Sequence, residues 1–146
     1  MSDAERRIAN RVVLERAMAA IGTGDRATLA GLYTEDWVLE LPFGDPPRRL
    51  EGAVEIADYL GPQMGRFEFT LSLVAVHFCL DPDLLVAEYT SEGRATATGK
   101  PYRNTYIGLW RFRDGRISGV KEYLNPMVAA EALTPDHPQD TPGDGY

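Results

Sequence analysis

Acid, amide and phenol side chains recur in the second half of the sequence, within segments rich in β-branched and aromatic residues. Because successive strand side chains point to opposite faces, Asn104 and Tyr106 share one side of a strand, and Glu122 and Leu124 share one side of the next. A carboxyl group can transfer protons, a phenol can donate to a developing oxyanion, and an amide can orient a carbonyl group. The pattern indicates proton-transfer chemistry, although alternation alone leaves open which side faces a pocket.

Cysteine and histidine offer little further chemistry. Cys79 is the only cysteine, which excludes an internal disulfide and a Cys-based structural metal site. Its apolar neighbours predict packing, although His77 is near enough to act as the base of a nucleophilic cysteine. Packing of His77 in the core or on the outer face is favoured over acid–base use, and a bulge could shift its face. His137 is distant and no HxxxH or HxH spacing occurs, so no metal site is predicted.

Three helices are predicted ahead of the strands that carry these groups. Ser2 and Glu5 have the spacing of a capping box at the start of the first helix. Gly61 and Pro62 predict a break or kink in the third helix. The predicted helices cover residues 3–22, Asp25 to about Tyr33, and a segment that starts at Gly52.

The strands predict a sheet that follows the helices in the chain. A short strand from Trp37 to Leu41 leads into an exposed Pro-rich crossing segment. Four later strands, separated by short turns, predict an antiparallel meander. Helices first and strands afterwards indicate an α+β fold with the helices on one face of the sheet. The four strands are predicted over Phe67–Leu80, Leu84–Thr98, Tyr102–Arg113 and Arg116–Leu124.

Length and charge limit the classes of protein and partner. The 146 residues fit one domain, predicted over 1–133, and the acidic, Pro- and Gly-rich segment 134–146 predicts a mobile tail. With 15 Lys and Arg against 22 Asp and Glu, the net charge of −7 disfavours nucleic acid and anionic membranes as partners. The N-terminal segment has no unbroken apolar run, so no signal peptide is expected. We therefore expect a cytoplasmic location.

The last hairpin carries a resemblance to a known family. It reads Tyr102-Arg-Asn-Thr-Tyr106-Ile-Gly-Leu-Trp110-Arg-Phe-Arg-Asp-Gly-Arg-Ile117, and it is followed by Lys-Glu-Tyr-Leu-Asn-Pro and an Ala-rich helical turn. This resembles the C-terminal signature of SnoaL-like polyketide cyclases and phenazine-biosynthesis A/B proteins, in the nuclear-transport-factor-2-like superfamily. The resemblance covers about 5–133 and implies a cone, in which three helices lean on a strongly bent sheet around a mostly apolar cavity. Members with this frame catalyse different reactions, so the fold leaves function open.

The resemblance also implies a set of site residues. In similar proteins an acid at the position of Glu122 works from the cavity, and the neighbouring strand contributes the positions of Asn104 and Tyr106. Matching backwards, to within one residue, brings Glu88 and Thr90 toward the pocket, and Glu40 falls at a polar pocket position of the first strand. The expected catalytic residues are Glu122, Glu88 and Tyr106, and the expected substrate-binding residues are Asn104, Glu40, Thr90, Trp37, Tyr33, Phe43, Met64 and Leu124.

Each of these assignments has a structural alternative. Carboxylates converging in an apolar site would raise at least one pKa and supply a general acid or base. Glu88 and Glu40 could instead pair with an arginine or point into solvent. Tyr106 and Asn104 could supply only buried area and backbone hydrogen bonds. The aromatic residues could belong to the core, and Trp110 is expected on the outer face or in a dimer contact.

The favoured function is a cofactor-free, metal-free acid–base enzyme of secondary metabolism. It would carry out a cyclisation, isomerisation, dehydration or hydrolytic ring opening on an apolar small molecule. A ligand-binding or scaffold protein that holds a biosynthetic intermediate is the alternative, and a protein-interaction module that uses the open sheet face is another. A homodimer through the convex sheet face is expected from the apolar side chains of Ile107, Leu109, Ile117 and Val120.

Overall fold

A helical hairpin forms the first layer of the structure, a computed structural model that describes residues 1–136. The first helix begins at the predicted capping box: Ser2 Oγ accepts the Glu5 N–H at 3.1 Å, and a Glu5 carboxyl oxygen accepts the Ser2 N–H at 3.3 Å. Gly24, with a left-handed φ of 70°, ends this helix. The helices are α1 Asp3–Thr23, α2 Arg26–Leu32, α3 Ala53–Met64 and α4 Pro126–Leu133.

The helix boundaries differ from the predicted ones in three places. The third helix is continuous across Gly61-Pro62, because Pro62 lies in its last turn and removes a hydrogen bond only near the helix end. The second helix ends at Leu32, since Tyr33 is already extended. A fourth helix, capped by Asn125, follows the sheet. The prediction of three helices ahead of the four-strand meander is otherwise confirmed.

One bent sheet of six strands packs against the helices, which confirms the predicted α+β fold. The strand order is β2-β1-β6-β5-β4-β3, and β1 pairs with β6 in parallel while the other neighbours are antiparallel. The Pro-rich crossing segment includes a strand that was not predicted, in which Leu50 pairs with Leu39. The strands are β1 Tyr33–Leu41, β2 Arg48–Glu51, β3 Phe67–Phe78, β4 Leu84–Ala95, β5 Pro101–Arg113 and β6 Arg116–Leu124.

The face of the sheet that the helices cover, the inner face, contains the main core. Leu14, Ala17 and Met18 of α1 pack in one cluster with inner-face side chains of β1, β4, β5 and β6. On β5 the even-numbered residues from Tyr102 to Phe112 are all buried. The helices therefore cover the same side of β5 that carries the predicted site positions.

Some apolar residues expected on the outer face lie in this core. Trp110 is 2% exposed on the inner face, which corrects the expectation of outer-face or dimer packing. Ile117 and Val120 are also buried in the inner-face core, and Val120 must share the side of Glu122 because it lies two residues before it. Of the four residues expected on the convex face, Ile107 is exposed and Leu109 is half-buried.

A β-bulge decides the orientation of the end of β3. The register shifts between Leu73 and Ala75, which reverses the alternation of side chains along the strand. As a result His77 pairs with Val86 on the outer face. Cys79 follows the strand and is partly buried, with Sγ 3.9 Å from the His77 carbonyl oxygen. His77 therefore lies on the outer face, where its side chain is exposed and contacts Glu88.

Only the first residues of the predicted tail belong to the described part of the chain. Asp136 pairs with Lys100 Nζ at 2.9 Å, so the chain is held to β5 and its preceding turn at this point. The mobile tail predicted over 134–146 falls mainly on residues 137–146, including His137, which lie outside the described residues. None of the helices in 1–136 is long and apolar enough to cross a membrane.

The close approach of β3 and β4 yields a test of the fold. A Cβ on Gly93 would lie 1.8 Å from the Glu68 carbonyl oxygen and 2.6 Å from Phe69 Cα, and neither backbone atom can rotate away. Gly93→Ala should therefore lower the free energy of unfolding by about 3 kcal/mol or more. Urea denaturation followed by circular dichroism measures this.

Gly31→Ala is the matched control for Gly93→Ala. Gly31 lies in α2, and apart from its chain neighbours and its own helix backbone no atom of residues 1–136 lies within 4 Å of its hypothetical Cβ. This variant should be as stable as the wild type or gain about 0.5–1 kcal/mol, because alanine loses less backbone entropy in a helix. Equal stability of the two variants would show that β3 and β4 do not approach as closely as described.

Candidate active site

Glu122 of β6 and Tyr89 of β4 meet on the inner face, across the intervening strand β5. In the register of the sheet, Gly108 of β5 lies opposite both Glu122 and Ala87. The buried Tyr89 hydroxyl donates a hydrogen bond to Glu122 Oε2. Within residues 1–136, Glu122 Oε1 has no hydrogen-bond partner, and no lysine or arginine pairs with this carboxyl group. The site is thus a carboxyl–phenol pair with one carboxyl oxygen left over.

Burial controls the protonation of this pair. It raises the pKa of Glu122 above its ordinary value of 4.5, and the hydrogen bond from Tyr89 lowers that pKa in part. Burial also raises the pKa of the Tyr89 phenol well above 10.0, and the nearby charge of Glu122 adds to the rise. The pKa of Tyr33 is raised by the same two causes in the same order. Burial therefore favours the uncharged, protonated form of Glu122, while the two phenols remain protonated donors.

The room for this contact comes from the absence of a side chain at Gly108. A Cβ at this position would lie 2.5 Å from Trp110 Nε1 and 2.9 Å from Tyr89 Oη. Both distances are shorter than real Cβ contacts allow, so a larger residue would displace the indole or the phenol. Glu122, Tyr89, Gly108 and Trp110 are called the Glu122 cluster below.

Aromatic packing fixes the ring of Tyr89. Tyr106 stacks on it with a centroid distance of 5.1 Å and an interplanar angle of 10°. Trp110 contacts it edge to face at 6.2 Å. Such pairs are worth about 0.5–1.5 kcal/mol beyond the area they bury. The hydroxyl of Tyr89 is therefore aimed at Glu122 by a ring that has little freedom to turn.

An apolar, incompletely closed wall adjoins the Glu122 cluster. Tyr33 and Trp37 contact each other with ring centroids 4.4 Å apart, and both pack against the core while staying partly exposed. Leu41 and Leu124 are likewise partly buried against the core. Glu122 itself keeps some solvent access. The expected placement of Tyr33, Trp37 and Leu124 on this side of the sheet agrees with the structure.

A second polar network lies beside the cluster on the inner face. The Tyr106 hydroxyl contacts Ser91 Oγ at 2.9 Å and the Tyr102 hydroxyl at 2.8 Å. Asn104 Nδ2 donates to Tyr102 Oη at 3.1 Å and to the Asn125 carbonyl at 3.0 Å. Asn104 Oδ1 accepts backbone N–H groups, including that of Asn125 at 3.2 Å. The Asn104 amide is thus occupied in joining β5 to the start of α4.

Glu88 and Thr90 lie on the outer face, contrary to the expectation that they approach the pocket. Their register partners on β5 are Ile107 and Thr105, both on the side opposite the core. Glu88 Oε2 contacts His77 Nε2 at 2.7 Å on this exposed face. The strand was matched one residue out of phase, so Tyr89 takes the inner position.

Glu40, Phe43 and Met64 also lie away from Glu122. Glu40 forms an outer-face ion pair with Arg49 and lies 4.0 Å from Lys121 Nζ, as the structural alternative describes. Phe43 is 56% exposed and packs edge to face on Tyr123, whose side chain alternates away from the inner face. Met64, the last residue of α3, is 37% exposed. One carboxylate, not three, therefore faces the core.

Sequence reasoning missed Tyr89, although a signal for it exists. In β4 the charged residues Glu88, Glu92 and Arg94 all occupy even-numbered positions, whereas Leu85, Ala87 and Tyr89 occupy odd ones. A binary reading of polar and apolar positions would have placed the odd-numbered row inward. Ser91, in the same row, would have been found with it.

Two grooves on the surface lie elsewhere. One of about 480 Å³ is lined by residues of α1 and the end of β3, including Arg7, Phe78 and Leu80. Another of about 520 Å³ is lined by Thr34 and by charged residues such as Asp36. Neither contains a member of the Glu122 cluster, so neither is the cavity expected inside the cone. Among residues 1–136, no three His, Cys, Asp or Glu side chains are placed to hold a metal ion.

The sequence profile of the SnoaL-like domain matches residues 14–120. The chain belongs to the SnoaL-like domain family. The match runs from the middle of α1 to the middle of β6, the part of the chain that carries Tyr89, Gly108 and Trp110.

Two relatives of this SnoaL-like protein agree with the assignment. The uncharacterized protein YesE of Bacillus subtilis is 32% identical over 123 residues, which cover 82% of this chain and 84% of YesE. The uncharacterized PhzA/B-like protein PA3332 of Pseudomonas aeruginosa is 28% identical over 123 residues, which cover 83% and 87% of the two chains.

Two solved structures show the same architecture. A Bacillus subtilis protein provisionally described as an isomerase superposes with a TM-score of 0.79 at 29% identity, covering 94% of this chain and all of that one. An LEH-like epoxide hydrolase of Mycobacterium tuberculosis superposes with a TM-score of 0.69 at 19% identity, covering 86% and 90%. The second likeness concerns the fold alone.

The buried Glu122 carboxyl should make stability depend on pH. Because its pKa is raised in the folded protein, the unfolded chain releases this proton first as the pH rises above 4.5. The contribution of Glu122 to the free energy of unfolding should therefore fall from pH 4.5 upward until the raised folded-state pKa is passed, and stay constant outside that window. Glu122→Gln should remove this pH-dependent loss of unfolding free energy, because glutamine does not titrate.

Urea unfolding of the wild type and of Glu122→Gln, from about pH 4 to about pH 8, measures the effect. The stability of the variant relative to the wild type should increase with pH. Glu88→Gln is the control, since it removes an outer-face carboxylate that is not buried. A stability difference between wild type and Glu122→Gln that stays flat over this range would contradict the described burial.

Proposed function

We propose that this SnoaL-like protein is a cofactor-free acid–base enzyme that acts on an uncharged, apolar small molecule. Glu122 is the observation that carries the proposal: its carboxyl is buried, bonded through Oε2 to the neutral phenol of Tyr89, and without a cationic partner within residues 1–136. A carboxyl group in that setting keeps its proton to a higher pH than an exposed one, which suits it to general acid–base catalysis. The adjoining apolar side chains favour a substrate without charge.

The proposed step is a proton transfer at Glu122 Oε1, the oxygen that Tyr89 does not occupy. The carboxylate removes a proton from a carbon next to a carbonyl group, and the electron pair of the broken C–H bond moves toward the carbonyl oxygen. The resulting carboxylic acid then returns the proton. Return at another carbon gives an isomerisation, whereas attack of the carbanion on a second carbonyl, followed by protonation of the alkoxide, gives a cyclisation.

The hydrogen-bonded network of Ser91, Tyr106 and Tyr102 can supply a donor to the developing oxyanion, although Tyr106 itself donates to Ser91 Oγ. Ser91, Tyr106 and Tyr102 together have three hydroxyl hydrogens, but only two contacts link the three oxygens. Asn104 donates to both ends of this chain, so it accepts none of these hydrogens there. Because Tyr106 donates to Ser91 Oγ, Tyr102 donates to Tyr106, and the hydroxyl hydrogen left for a further acceptor is that of Ser91. We assign that donor to the substrate oxygen, and Asn104 to holding the network in place.

A binding protein that holds a biosynthetic intermediate is the alternative function. It is favoured by the finding that Glu88 and Glu40, two of the three carboxylates expected in the pocket, lie on the outer face. A scaffold needs shape and one polar anchor, whereas many acid–base enzymes use two titrating groups. The Bacillus subtilis protein provisionally described as an isomerase supports the enzyme instead.

The catalytic proposal can be tested without knowing the natural substrate. Nitrobenzisoxazole is an uncharged apolar probe whose ring opens when a base removes its C–H proton. Glu122→Gln keeps the shape of the side chain but cannot cycle a proton, so the rate per folded molecule should fall by about 10²–10⁴-fold. The rate of the wild type should rise with pH as Glu122 ionises. Absorbance of the phenolate product gives both measurements.

The outer-face variant Glu88→Gln is the matched control and should retain the wild-type rate. A β,γ-unsaturated ketone and a monoterpene epoxide extend the panel to isomerisation and epoxide opening. Fluorescence titration of the same probes gives affinity. If Glu122→Gln altered affinity but no probe showed a rate above that of buffer, the binding function would replace the enzyme.

We also propose a homodimer through the outer face of β4 and β5. Ile107 is 41% exposed there, and Leu109 lies beside it on the same side of β5. Ile107→Lys should weaken self-association by at least about tenfold, because it places a charge in an apolar contact. Sedimentation velocity at micromolar concentration tests this, and a monomeric wild type would disprove the dimer.

A further inference from the structure

The indole N–H of Trp110 is a buried donor that the site described above does not use. Trp110 is 2% exposed, and within residues 1–136 its Nε1 has no hydrogen-bond partner of normal geometry. Buried polar atoms without a partner are uncommon in native proteins and call for a reason. The indole sits on the inner face of β5, two residues from Gly108.

Two independent features locate this donor next to Tyr89. A Cβ on Gly108 would lie 2.5 Å from Trp110 Nε1 and 2.9 Å from Tyr89 Oη, so the two polar atoms border the same small space. The rings of Tyr89 and Trp110 are in edge-to-face contact. The indole N–H is also close enough to lower the pKa of Tyr89, against the larger effects of burial and the Glu122 charge.

We propose that Trp110 is a positioning residue whose indole N–H donates to Tyr89 Oη, so that the Tyr89 hydroxyl hydrogen is committed to Glu122 Oε2. The phenol oxygen then accepts from the indole and donates to the carboxyl, which forms a one-way relay from Trp110 through Tyr89 to Glu122. Gly108 makes the relay possible because it leaves the shared space empty of side-chain atoms. Glu122 Oε1 stays free for the substrate proton.

The relay explains why a donor remains at this position. A phenol that accepts a hydrogen bond becomes a stronger donor, so the indole strengthens the bond to Glu122 without touching the carboxyl. Among residues 1–136, the other titratable groups that interact with Glu122 are the phenols of Tyr33 on β1 and Tyr106 on β5, and both are neutral near pH 7. The effect of Trp110 can therefore be read in the titration of Glu122 itself. Its role in catalysis rests on the proposed function, whereas the hydrogen bond does not.

Nuclear magnetic resonance of the full chain tests the relay directly. The sequence has two tryptophans, so in the Trp37→Phe variant the one remaining indole N–H signal is that of Trp110. This signal should shift with pH at the same midpoint as the carboxyl carbon of Glu122, because ionisation of Glu122 is felt through Tyr89. An indole signal that does not follow the Glu122 titration would overturn the proposal.

Variants then separate hydrogen bonding from packing. Trp110→Phe removes the N–H together with part of the ring, so benzothienylalanine at position 110, in which sulfur replaces N–H at nearly constant shape, is the better probe. It should raise the Glu122 midpoint by about 0.3–1 pH unit, since Tyr89 becomes a weaker donor. An unchanged midpoint in this folded variant would contradict the relay.

A double-mutant cycle with Tyr89→Phe completes the test. Tyr89→Phe alone should raise the Glu122 midpoint more than the change at position 110, because the direct hydrogen bond is lost. In the Tyr89→Phe background, benzothienylalanine at position 110 should add no further shift. An equal shift in both backgrounds would mean that Trp110 acts on Glu122 without Tyr89. These midpoints can be measured whether or not nitrobenzisoxazole is turned over, so failure of the relay and failure of the enzyme are distinguishable.

Discussion

Glu122 and Tyr89 belong to strands that are not neighbours, and they meet only because the strand between them has no side chain at Gly108. On β5 the row that faces the core consists otherwise of Tyr102, Asn104, Tyr106, Trp110 and Phe112, and any of these at position 108 would fill the space between the phenol and the carboxyl. Ala87, opposite Gly108 on β4, also has a small side chain, so the neighbouring strand does not fill this space either. A two-residue depression in an otherwise aromatic surface thus sets where a carboxyl, a phenol and an indole can converge.

This convergence is costly in free energy, which limits how often a core can contain it. Desolvation disfavours the charge on Glu122, and the single hydrogen bond from Tyr89 offsets only part of that penalty. An indole N–H without a partner adds about 1–3 kcal/mol if it stays unpaired. The surrounding aromatic packing of Tyr89 against Tyr106 and Trp110 contributes in the other direction. Departures from the rule that cores are apolar and fully bonded are expected at functional sites, and here the departures adjoin one another.

The fold could be predicted from the sequence, and the site only in part. Capping residues, turn sequences and strand composition gave the order of helices and the four-strand meander, because these signals are local. The facing of side chains depends on register, and one residue of error in β4 exchanged Tyr89 and Ser91 for Glu88 and Thr90. The charged row of β4 would have corrected that error, whereas the bulge after Leu73, which turns His77 outward, leaves no clear mark in the sequence. The empty space over Gly108 depends on three strands at once and could not be read from any one of them.

The two faces of the sheet give the same residue type different roles. On the outer face Glu40 and Glu88 have cationic or imidazole partners in exposed pairs, where such contacts are worth little. On the inner face Glu122 has a phenol partner and, among residues 1–136, no cationic one, and this difference matters for proton transfer. A nearby cation would hold the carboxyl ionised, and a second carboxylate would share and retain the proton. Neutral donors stabilise the carboxylate without holding the group permanently ionised. A single acid among phenols can therefore both take up and release a proton.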